Sequence, residues 1–443
     1  MSESAAAILE RFRFNLGKDI DLTLRAPYRA LLEKRGNPQN KLQNVVHVAG
    51  TNGKGSTCAF MRAALEAAGL KVHVYTSPHL VSIHERIRVA GNLIPEAELA
   101  EILALCEKDC EKGTVSFFEA STAAAFTAFA RHPADVTLLE VGLGGRLDAT
   151  NVIERPALDI VTRLSFDHRD YLGNTMAEIA CEKAGIMRAG VPCFTAPQPS
   201  TEALAALEKC ASAKRAPLYL GGRDWRLEIF DTPTKEESFR FEGRKRQVAL
   251  PVPALLGRHQ FWNAGLALAA LEELPFALSD DHLRAAMRNV AWPARLQKIE
   301  SGSLAALLPK GSEIWLDGGH NDSAGEVLGR QIALWAKEEP DRPLHLLFGM
   351  LTTKDPQEFL KPMAPYIASL QTVAIPNEPL AETPEKLALE AQKAGVKNAS
   401  VAGTLKSGLE ALAKRGGDKS RVLICGSLYL AGSFLADNGK EIF

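Results

Sequence analysis

Residues 47–57 read His-Val-Ala-Gly-Thr-Asn-Gly-Lys-Gly-Ser-Thr and join two different sequence patterns. An apolar run that ends at Val48 precedes the glycines, and a helical pattern starts at Thr57. A strand, a glycine loop and a helix in this order form a phosphate-binding site, because the loop amides and the helix N-terminus both attract the anion. In such a loop Lys54 would reach the β- and γ-phosphates of a nucleotide, and the Ser56 hydroxyl would bind Mg²⁺.

The spacing inside this loop differs from that of the usual phosphate-binding loop. Only Thr51 and Asn52 separate Gly50 from Gly53, where four residues are usual, and Gly55 lies between the lysine and the serine. This variant narrows the range of families to which the chain can belong. The alternative is a glycine-rich turn with a surface lysine, which the flanking strand and helix patterns disfavour.

The composition is ordinary for a soluble globular protein and excludes several classes of function. The chain has 443 residues, enough for two to three domains, and its net charge of −1 indicates no bulk attraction to nucleic acid or to an anionic membrane. No apolar run approaches the roughly 18 residues of a membrane helix, and no signal peptide is visible, so we expect a cytoplasmic protein. The seven cysteines are scattered and lack the paired spacing of a disulfide framework or a zinc site, so we expect reduced thiols. Cys106 and Cys110 are interpreted as core thiols rather than metal ligands.

Apolar strand-like runs alternate with helical patterns through the first part of the chain. Candidate strands lie at 44–49, 71–75, 135–141, 158–164 and 191–195, and candidate helices at 57–68, 96–111, 118–131, 176–184 and about 261–273. This alternation predicts an α/β fold with a doubly wound, mostly parallel sheet. Residues 217–250 contain short alternating runs, which predict a small antiparallel sheet appended to the main one.

The α/β alternation stops near Pro293, which interrupts regular structure, and then restarts. Strand-like runs return at 313–317, 344–348 and 421–425. We therefore expect an ATP-binding P-loop domain over residues 1–290, a hinge over 291–297 and a Rossmann-like domain over 298–443.

Two polar side chains follow predicted strands in the first domain. Glu140 lies at the end of one strand-like run, and His168 comes shortly after the next. Parallel strands bring their carboxyl ends to one edge of a sheet, where α/β folds bind ligands. Glu140 is therefore a candidate Mg²⁺ ligand, although strand-end acids are commonly exposed. His168 is equally consistent with a metal ligand and with an ordinary polar loop residue.

Lys183 lies on a predicted helix that begins at Thr175, where Thr175 and Glu178 form a capping box. It falls one turn after Ile179 on the same face, which turns it towards the sheet. A buried lysine is costly unless its charge is compensated. It could pair with a phosphate, pair with Glu140, or be modified to an uncharged or anionic form. An ordinary solvated lysine is as consistent with the spacing.

The second domain contains one candidate nucleotide contact, and the hinge contains another. Asp317 follows a strand-like run and could accept hydrogen bonds from a ribose, bind a metal, or act as the N-cap of the next helix. Arg295 stands beside Pro293 and could hold a γ-phosphate as the second domain closes. The alternative for Arg295 is a solvated charge.

A set of short motifs runs through nearly the whole chain. They are Gly-Thr-Asn-Gly-Lys-Gly-Ser at 50–56, Thr-Ser-Pro-His-Leu at 76–80, Glu-Arg-Ile at 85–87, Phe-Phe-Glu at 117–119, Glu-Val-Gly-Leu-Gly-Gly-Arg-Leu-Asp-Ala-Thr-Asn at 140–151, Asp-His at 167–168, Glu-Lys-Ala-Gly-Ile at 182–186, Gly-Arg-His-Gln at 257–260, Trp-Pro-Ala-Arg at 292–295, Asp-Gly-Gly-His-Asn at 317–321 and Gly-Ser-Leu-Tyr-Leu at 426–430. In this order they resemble the folylpolyglutamate synthase/dihydrofolate synthase family, cytoplasmic ATP-dependent amide ligases of the Mur ligase superfamily.

The resemblance implies a nucleotide and metal site with named members. The phosphates of ATP would be held by the loop residues Gly50, Thr51, Asn52, Gly53, Lys54, Gly55 and Ser56. Further ATP contacts would come from Asn263, Arg295 and Asp317. Two Mg²⁺ ions would be bound, directly or through water, by Ser56, Ser77, Glu140 and His168. Lys183 matches a lysine that is carbamylated in such enzymes and then supports the second metal ion. The catalytic residues would be Lys54, His168, Lys183 and Arg295.

The resemblance also implies a pterin site. Its lining would consist of Ser116, Phe117, Phe118, Glu119, Leu147, Asp148 and Ala149. The two phenylalanines could stack on a flat pterin or simply pack in the core, and Asp148 could accept hydrogen bonds from the pterin amino group.

Two segments depart from the family pattern. Family members usually carry a glycine and an arginine close after an Asp-Leu pair, whereas residues 20–27 read Ile-Asp-Leu-Thr-Leu-Arg-Ala-Pro. This difference bears on the shape of the pterin pocket. Gly319 replaces the usual alanine of the Asp-Gly-Ala-His-Asn motif, a change that we expect to be harmless.

The implied reaction uses ATP to phosphorylate a substrate carboxylate, and the amine of L-glutamate then attacks the acyl phosphate. The substrates would be tetrahydrofolate and also dihydropteroate, with a folylpolyglutamate synthase alone as the alternative. A cell-wall Mur ligase is disfavoured because residues 1–43, which precede the first predicted strand, leave little room for its UDP-binding domain. A nucleotide-dependent binding switch would explain the P-loop but not the motifs at His168, Lys183 and Asp317. We expect a monomer that binds neither nucleic acid nor membrane.

Overall fold

A computed structural model describes residues 3–12, 26–230, 234–415, 417 and 419–439. The chain divides into two compact units, one of Met1–Ala254 with Gln260–Ala291, the other of Leu255–His259 with Trp292–Phe443. The domain limits expected above, including a hinge over 291–297, stay predictions. Most of the segment that departs from the family pattern, residues 20–25, lies outside the described residues.

The first unit is built on a sheet that has eight strands in its described part. They are β1 Val45–Ala49, β2 Val72–Tyr75, β3 Ile87–Val89, β4 Asn92–Leu93, β5 Val136–Glu140, β6 Leu158–Val161, β7 Cys193–Thr195 and β8 Leu218–Leu220. Their order across the sheet is β4-β3-β2-β5-β1-β6-β7-β8. From β2 to β8 the neighbours are parallel, and β3 and β4 are antiparallel. The predicted mostly parallel sheet is confirmed.

Helices alternate with these strands along the chain. They are α1 Ala5–Glu10, α2 Ala26–Lys34, α3 Lys54–Ala67, α4 Glu96–Asp109, α5 Phe117–Arg131, α6 Arg169–Leu172, α7 Met176–Lys183, α8 Thr201–Lys214, α9 Arg258–Leu271 and α10 Asp280–Asn289. Short 3₁₀ turns occupy Pro38–Lys41, Ile83–Arg86 and Ala184–Ile186. Searching the described residues of the whole chain finds no helix with the length and apolar character needed to cross a bilayer.

The central strands are apolar because both of their faces are covered. All five residues of β1 and all five of β5 are buried, which is the usual state of parallel strands packed on both sides. Helix ends are set by local capping. Thr175 accepts a hydrogen bond from the Glu178 N–H while Glu178 reaches back to the cap, so the predicted capping box at α7 is confirmed.

A separate antiparallel sheet follows the main one, as predicted. Its strands are β9 Arg226–Ile229, β10 Phe239–Glu242 and β11 Gln247–Leu250. The buried side chains of β10 alternate with less buried ones, and Phe239 and Phe241 are fully buried. Phe241 lies against the buried Trp225, with ring centroids 6.4 Å apart.

The second unit contains a six-stranded sheet over its described residues. Its strands are β12 Gln297–Ile299, β13 Glu313–Leu316, β14 Leu344–Phe348, β15 Ile367–Val373, β16 Ala399–Gly403 and β17 Arg421–Cys425, in the order β12-β13-β17-β14-β15-β16. Only β12 is antiparallel to its neighbour. The helices are α11 Asp322–Glu338, α12 Pro356–Leu360, α13 Pro384–Lys393, α14 Leu405–Arg415 and α15 Leu428–Asp437, with 3₁₀ turns at Ala305–Leu307 and Ala364–Tyr366. This alternation matches the Rossmann-like prediction.

A buried acid in β6 makes the stability of the first unit depend on pH. Asp159 is fully buried, and burial raises its pKa to about 8 although Arg188 lies 3.9 Å away. The folded protein therefore keeps a proton that the unfolded chain has lost above about pH 4. We expect the free energy of unfolding to fall as pH rises from 5 to 8, by about 1 kcal/mol per pH unit from this group.

Chemical denaturation at pH 5 and pH 8 measures this dependence. Asp159→Asn removes the titrating group and should flatten the slope, whereas Asp281→Asn changes an exposed acid on α10 and should keep it. Parallel slopes for the wild type and Asp159→Asn would refute the expected contribution.

Candidate functional site

The glycine loop lies between β1 and α3, and its conformation requires glycine at two positions. Gly50 has a φ of +142° and Gly53, the N-cap of α3, a φ of +93°. A Cβ at Gly50 would lie 1.8 Å from the hydroxyl oxygen of Thr162, which follows β6. A Cβ at Gly53 would lie 2.4 Å from the side-chain oxygen of Asn263 on α9. The loop is therefore pressed between two neighbouring elements, the segment after β6 and helix α9.

Hydrogen bonds from the loop to the segment after β6 hold its first half. The amides of Thr51 and Asn52 donate to the carbonyl of Arg163 at 3.1 and 3.2 Å. The side-chain amide of Asn52 donates to the Ser165 hydroxyl at 3.1 Å. These two backbone amides are used internally, so the amides at the start of α3 are the ones left to face a phosphate.

Lys54 bends back over the loop instead of extending into solvent. Its Nζ donates to the carbonyls of Gly50 and Thr51 at 3.1 and 3.2 Å. Ser56, in the first turn of α3, is buried. A turn that merely carried a surface lysine would not place the ammonium group over its own loop, so this alternative loses its support.

The carboxyl ends of β1, β2, β5 and β6 lie along one edge of the sheet, as parallel pairing requires. Glu140 is the last residue of β5, pairs with Val48 of β1 and is 5% exposed. Ser77 follows β2 by two residues. His168 follows β6, is exposed, and has its Nε2 3.8 Å from a carboxylate oxygen of Asp167. The candidate metal ligands thus come from strand ends at the edge that carries the glycine loop.

The donor set at this edge suits a hard cation that also binds substrate oxygens. Searching the described residues finds no cluster of three or more His, Cys, Asp or Glu side chains able to hold a metal by themselves. Mg²⁺ commonly takes only one or two carboxylates and completes its shell with water and phosphate oxygens. The buried carboxylate of Glu140 and the hydroxyl of Ser56, which follows the glycine loop, provide such a small set of oxygen ligands.

Lys183 is 5% exposed, so the solvated alternative is wrong. Its Nζ donates to the carbonyl of Gly50 at 3.0 Å, the same carbonyl that accepts from Lys54. Burial lowers the pKa of Lys183 to about 7, and the positive charge of Lys54 acts in the same direction. An appreciable share of this amine is therefore uncharged at neutral pH.

The loop after β5 and helix α8 together hold the end of α7, where Lys183 lies. The Arg146 amide donates to the Glu182 carbonyl at 2.9 Å, and a Cβ at Gly145 would lie 3.0 Å from the Glu182 and Lys183 carbonyls. From α8, Lys214 donates to the carbonyls of residues 184, 185 and 187 at 2.8–3.1 Å. The sequence patterns do not identify Lys214, because a lysine near a helix C-terminus usually has a purely local role.

The phenylalanines assigned to the pterin site are partly buried and pack against a hydrophobic cluster. Ser116 is the N-cap of α5 and forms a capping box with Glu119. Phe118 approaches the loop after β5 so closely that a Cβ at Gly142 would lie 2.4 Å from its ring. The Arg86 guanidinium lies 5.3 Å from the Phe117 ring centroid. Core packing therefore accounts for both rings, and their stacking on a pterin stays a prediction.

Asp148 needs a correction, because its carboxylate is already used. One oxygen accepts from the amides of Gly142 and Leu143 at 3.0 and 2.9 Å, and the other accepts from the amide and hydroxyl of Thr150 at 2.9 and 2.5 Å. A carboxylate offers about four acceptor positions, and all four are filled. Asp148 therefore shapes the loop after β5 and offers no acceptor to a pterin amino group. Beside it, the Ala149 carbonyl accepts from the Tyr28 hydroxyl at 3.0 Å, and Leu147 is partly buried.

In the second unit, Asp317 organises the turn after β13. Its carboxylate accepts from the amides of Leu296 and Gly319, both at 2.7 Å. The N-cap of α11 is Asn321, so the alternative of Asp317 as that N-cap is wrong. A Cβ at Gly319 would lie 2.7 Å from an Asp317 carboxylate oxygen, which gives the departure from alanine a local reason. Arg295 donates to the Ala294 carbonyl at 2.9 Å.

Two family models match the chain. Residues 48–271 match the Mur ligase middle domain, and residues 300–436 match the dihydrofolate synthetase C-terminal domain. Together they span the glycine loop, the strand ends with Glu140 and His168, Lys183, Asn263 and Asp317.

Individual relatives found by sequence point to the same family as the two family models. The dihydrofolate synthase/folylpolyglutamate synthase of Bacillus subtilis is 34% identical over 343 residues, covering 75% of this chain and 76% of the relative. A probable dihydrofolate synthetase of Schizosaccharomyces pombe is 31% identical over 442 residues, covering 91% and 95%.

Solved structures match the fold over almost its full length. E. coli FolC in complex with DHPP and ADP superposes with a TM-score of 0.86 at 29% identity, covering 98% of this chain and 97% of that chain. The bifunctional folylpolyglutamate synthase/dihydrofolate synthase of Yersinia pestis, complexed with AMPPNP and Mn ion, gives a TM-score of 0.84 at 28% identity, covering 98% of both chains.

Proposed function

Because this chain belongs to the dihydrofolate synthase/folylpolyglutamate synthase family, we propose that it is an ATP-dependent ligase that joins L-glutamate to folates. One observation of the site carries this proposal. Lys54 and the buried Lys183 converge on the carbonyl of Gly50, in a glycine loop at the sheet edge where Glu140 ends β5. A phosphate-binding loop alone would serve many reactions, whereas a second, buried lysine at the loop fits a ligase with an extended metal site.

The reaction follows from the chemistry of a carboxylate. A carboxylate is a poor electrophile, so transfer of the γ-phosphoryl group of ATP to the folate carboxylate supplies a leaving group. The glutamate amine then attacks the acyl carbon, and phosphate departs as the amide bond forms. In this reaction Lys54 would stabilise the negative charge that builds up on the phosphoryl oxygens. Lys54, Ser56, the remaining loop residues and Asn263 are assigned to ATP, and Arg295 and Asp317 of the second unit are further proposed ATP contacts.

Mg²⁺ would be held by the hydroxyls of Ser56 and Ser77, the carboxylate of Glu140 and the imidazole of His168, directly or through water. When bound, it would neutralise charge on the phosphate oxygens. Glu140 is buried at its strand end, so its carboxylate would not have to be removed from bulk water in order to bind such a cation.

We assign Lys183 as a carbamylated lysine. The lysine ammonium group first loses one proton. The uncharged amine then attacks carbon dioxide, forms an N–C bond and releases a second proton, so a cation becomes an anion. The pKa of about 7, lowered first by burial and then by Lys54, keeps the reactive free amine available at neutral pH. The positive charge of the neighbouring Lys54 would also stabilise an anion at this position. The negative carbamate would then face the proposed Mg²⁺ site with a charge opposite to that of the cation.

The substrate range is expected to include both tetrahydrofolate and dihydropteroate. Dihydropteroate has a free carboxylate on its benzoyl group and tetrahydrofolate has free carboxylates on its glutamate. Either kind of carboxylate can be phosphorylated by ATP, so a single ATP site can serve both. The names of the relatives from Bacillus subtilis and Yersinia pestis, which combine the two activities, support this assignment.

The test is incubation with Mg²⁺, ATP and glutamate plus either dihydropteroate or tetrahydrofolate, followed by mass spectrometry of the products. We expect glutamate addition to both substrates. Extension of tetrahydrofolate with dihydropteroate left untouched at saturating ATP and glutamate would make the enzyme a folylpolyglutamate synthase only. ATP turnover that is indifferent to glutamate and to both pteroyl compounds would instead identify a nucleotide-dependent switch.

A further inference from the structure

Helices α7 and α8 bring two free cysteine side chains into contact. The Cys210 thiol donates to the Cys181 sulfur, and the two Sγ atoms are 3.3 Å apart. Cys181 is exposed and Cys210 is partly exposed. The helices that carry them share a hydrophobic cluster that includes Ile179 and Leu207.

The contact is close enough for a disulfide bond after a small local movement. A disulfide is about 2.05 Å long, so the sulfur atoms need to approach each other by only about 1.2 Å. Cys181 is accessible to an oxidant from solvent. Cys210 is less exposed than Cys181 and contacts its sulfur, so Cys210 is placed to attack an oxidised Cys181 instead of meeting the oxidant first.

We propose that Cys181 and Cys210 form a reversible disulfide when the protein meets hydrogen peroxide, and that this bond lowers ligase activity. Cys181 first attacks the peroxide, which oxidises its sulfur to a sulfenic acid and releases one water. Cys210 then attacks that sulfur, the S–S bond forms and the sulfenic oxygen leaves as a second water. Two thiols and one peroxide thus give one disulfide and two waters, and an added thiol reverses the change.

The position of the pair connects it to the proposed active site. Cys181 precedes Lys183 by two residues on α7, and the Lys183 Nζ reaches the Gly50 carbonyl. Cys210 lies one turn before Lys214 on α8, and Lys214 holds three carbonyls just after α7. Drawing the cysteines together therefore displaces the end of α7 relative to the glycine loop. This loss of activity rests on the proposed function, whereas the formation of the disulfide does not.

Mass spectrometry of the reduced full-length protein after peroxide treatment tests the bond directly. We expect the loss of two hydrogen atoms per chain and a proteolytic peptide pair that links Cys181 to Cys210. Ligase activity should fall by about 10- to 100-fold, the usual effect of a small misplacement in an active site, and dithiothreitol should restore it. Cys181→Ser and Cys210→Ser should keep basal activity and lose the peroxide sensitivity. Cys110→Ser, which changes a partly exposed cysteine at the C-cap of α4, should keep the peroxide sensitivity.

Three results would overturn the proposal or part of it. Stable addition of oxygen at Cys181 without a peptide link would exclude the disulfide. A complete link with unchanged ligase activity would exclude the inhibition. If the reduced protein had no ligase activity but still formed the link, the proposed function and the inhibition would fail while the disulfide would stand.

Discussion

Replacing Lys54 with alanine is expected to reduce glutamate ligation by at least about 100- to 1,000-fold, the range for loss of one preorganised electrostatic contact to a developing negative charge. The ammonium group lies over its own loop, 3.1 Å from the Gly50 carbonyl and 3.2 Å from that of Thr51. A phosphate bound at the start of α3 would meet this charge directly. No uncharged side chain can replace it.

The fold should survive this substitution. The two hydrogen bonds of Lys54 go to carbonyls of a partly exposed loop, and such bonds contribute about 1 kcal/mol each. Circular dichroism and the unfolding midpoint should therefore stay close to those of the wild type. Lys34→Ala is a matched control, because Lys34 also donates to a backbone carbonyl, that of Asp109 at 2.7 Å, on the surface. If Lys54→Ala ligates glutamate at most of the wild-type rate, the loop does not bind the reacting phosphate.

Substitutions at Lys183 should have an equally large but chemically distinct effect. If this lysine acts as a carbamate, Lys183→Ala removes an anion, and a small carboxylate such as acetate should restore part of the activity. Lys183→Arg keeps a positive charge that cannot react with carbon dioxide, so it should be inactive with or without acetate. Activity of Lys183→Arg close to that of the wild type would rule out the carbamate.

A spectroscopic measurement separates the carbamate from a simple ion pair. Wild-type protein equilibrated with ¹³C-labelled bicarbonate should show a carbamate carbon signal by NMR that is missing from Lys183→Ala. Activity should also fall when carbon dioxide is removed from the buffer and recover when bicarbonate is added. Lys54→Ala is the control. It removes the neighbouring positive charge that helps to lower the Lys183 pKa, but the Lys183 amine is still present and can react with carbon dioxide. A signal that persists in Lys183→Ala would place the modification on another residue.

Most of the central elements could be predicted from local patterns, although β15 and β16, with seven and five residues, are not among the predicted strands. β1, β5 and β14 are continuous buried runs of five residues, and their hydrophobic character is visible without any knowledge of the fold. In contrast, β3, β4 and β8 have only two or three residues each, too few for a period to be recognised. Their pairing depends on neighbouring strands rather than on their own residues.

The candidate site also has some features that local sequence patterns determine and others that they do not. The order of strand, glycine loop and helix at residues 45–67 and the capping box at α7 follow from contacts within a few residues, so the pattern alone determines them. The buried Lys183 donates a hydrogen bond to the Gly50 carbonyl, 133 residues away in the sequence. Asp148 anchors the loop after β5, and that role depends on how the loop turns. Long-range contacts leave no periodic trace in the chain. Only tertiary packing therefore decides that Lys183 is buried, that Asp148 has no free acceptor and that Cys181 meets Cys210.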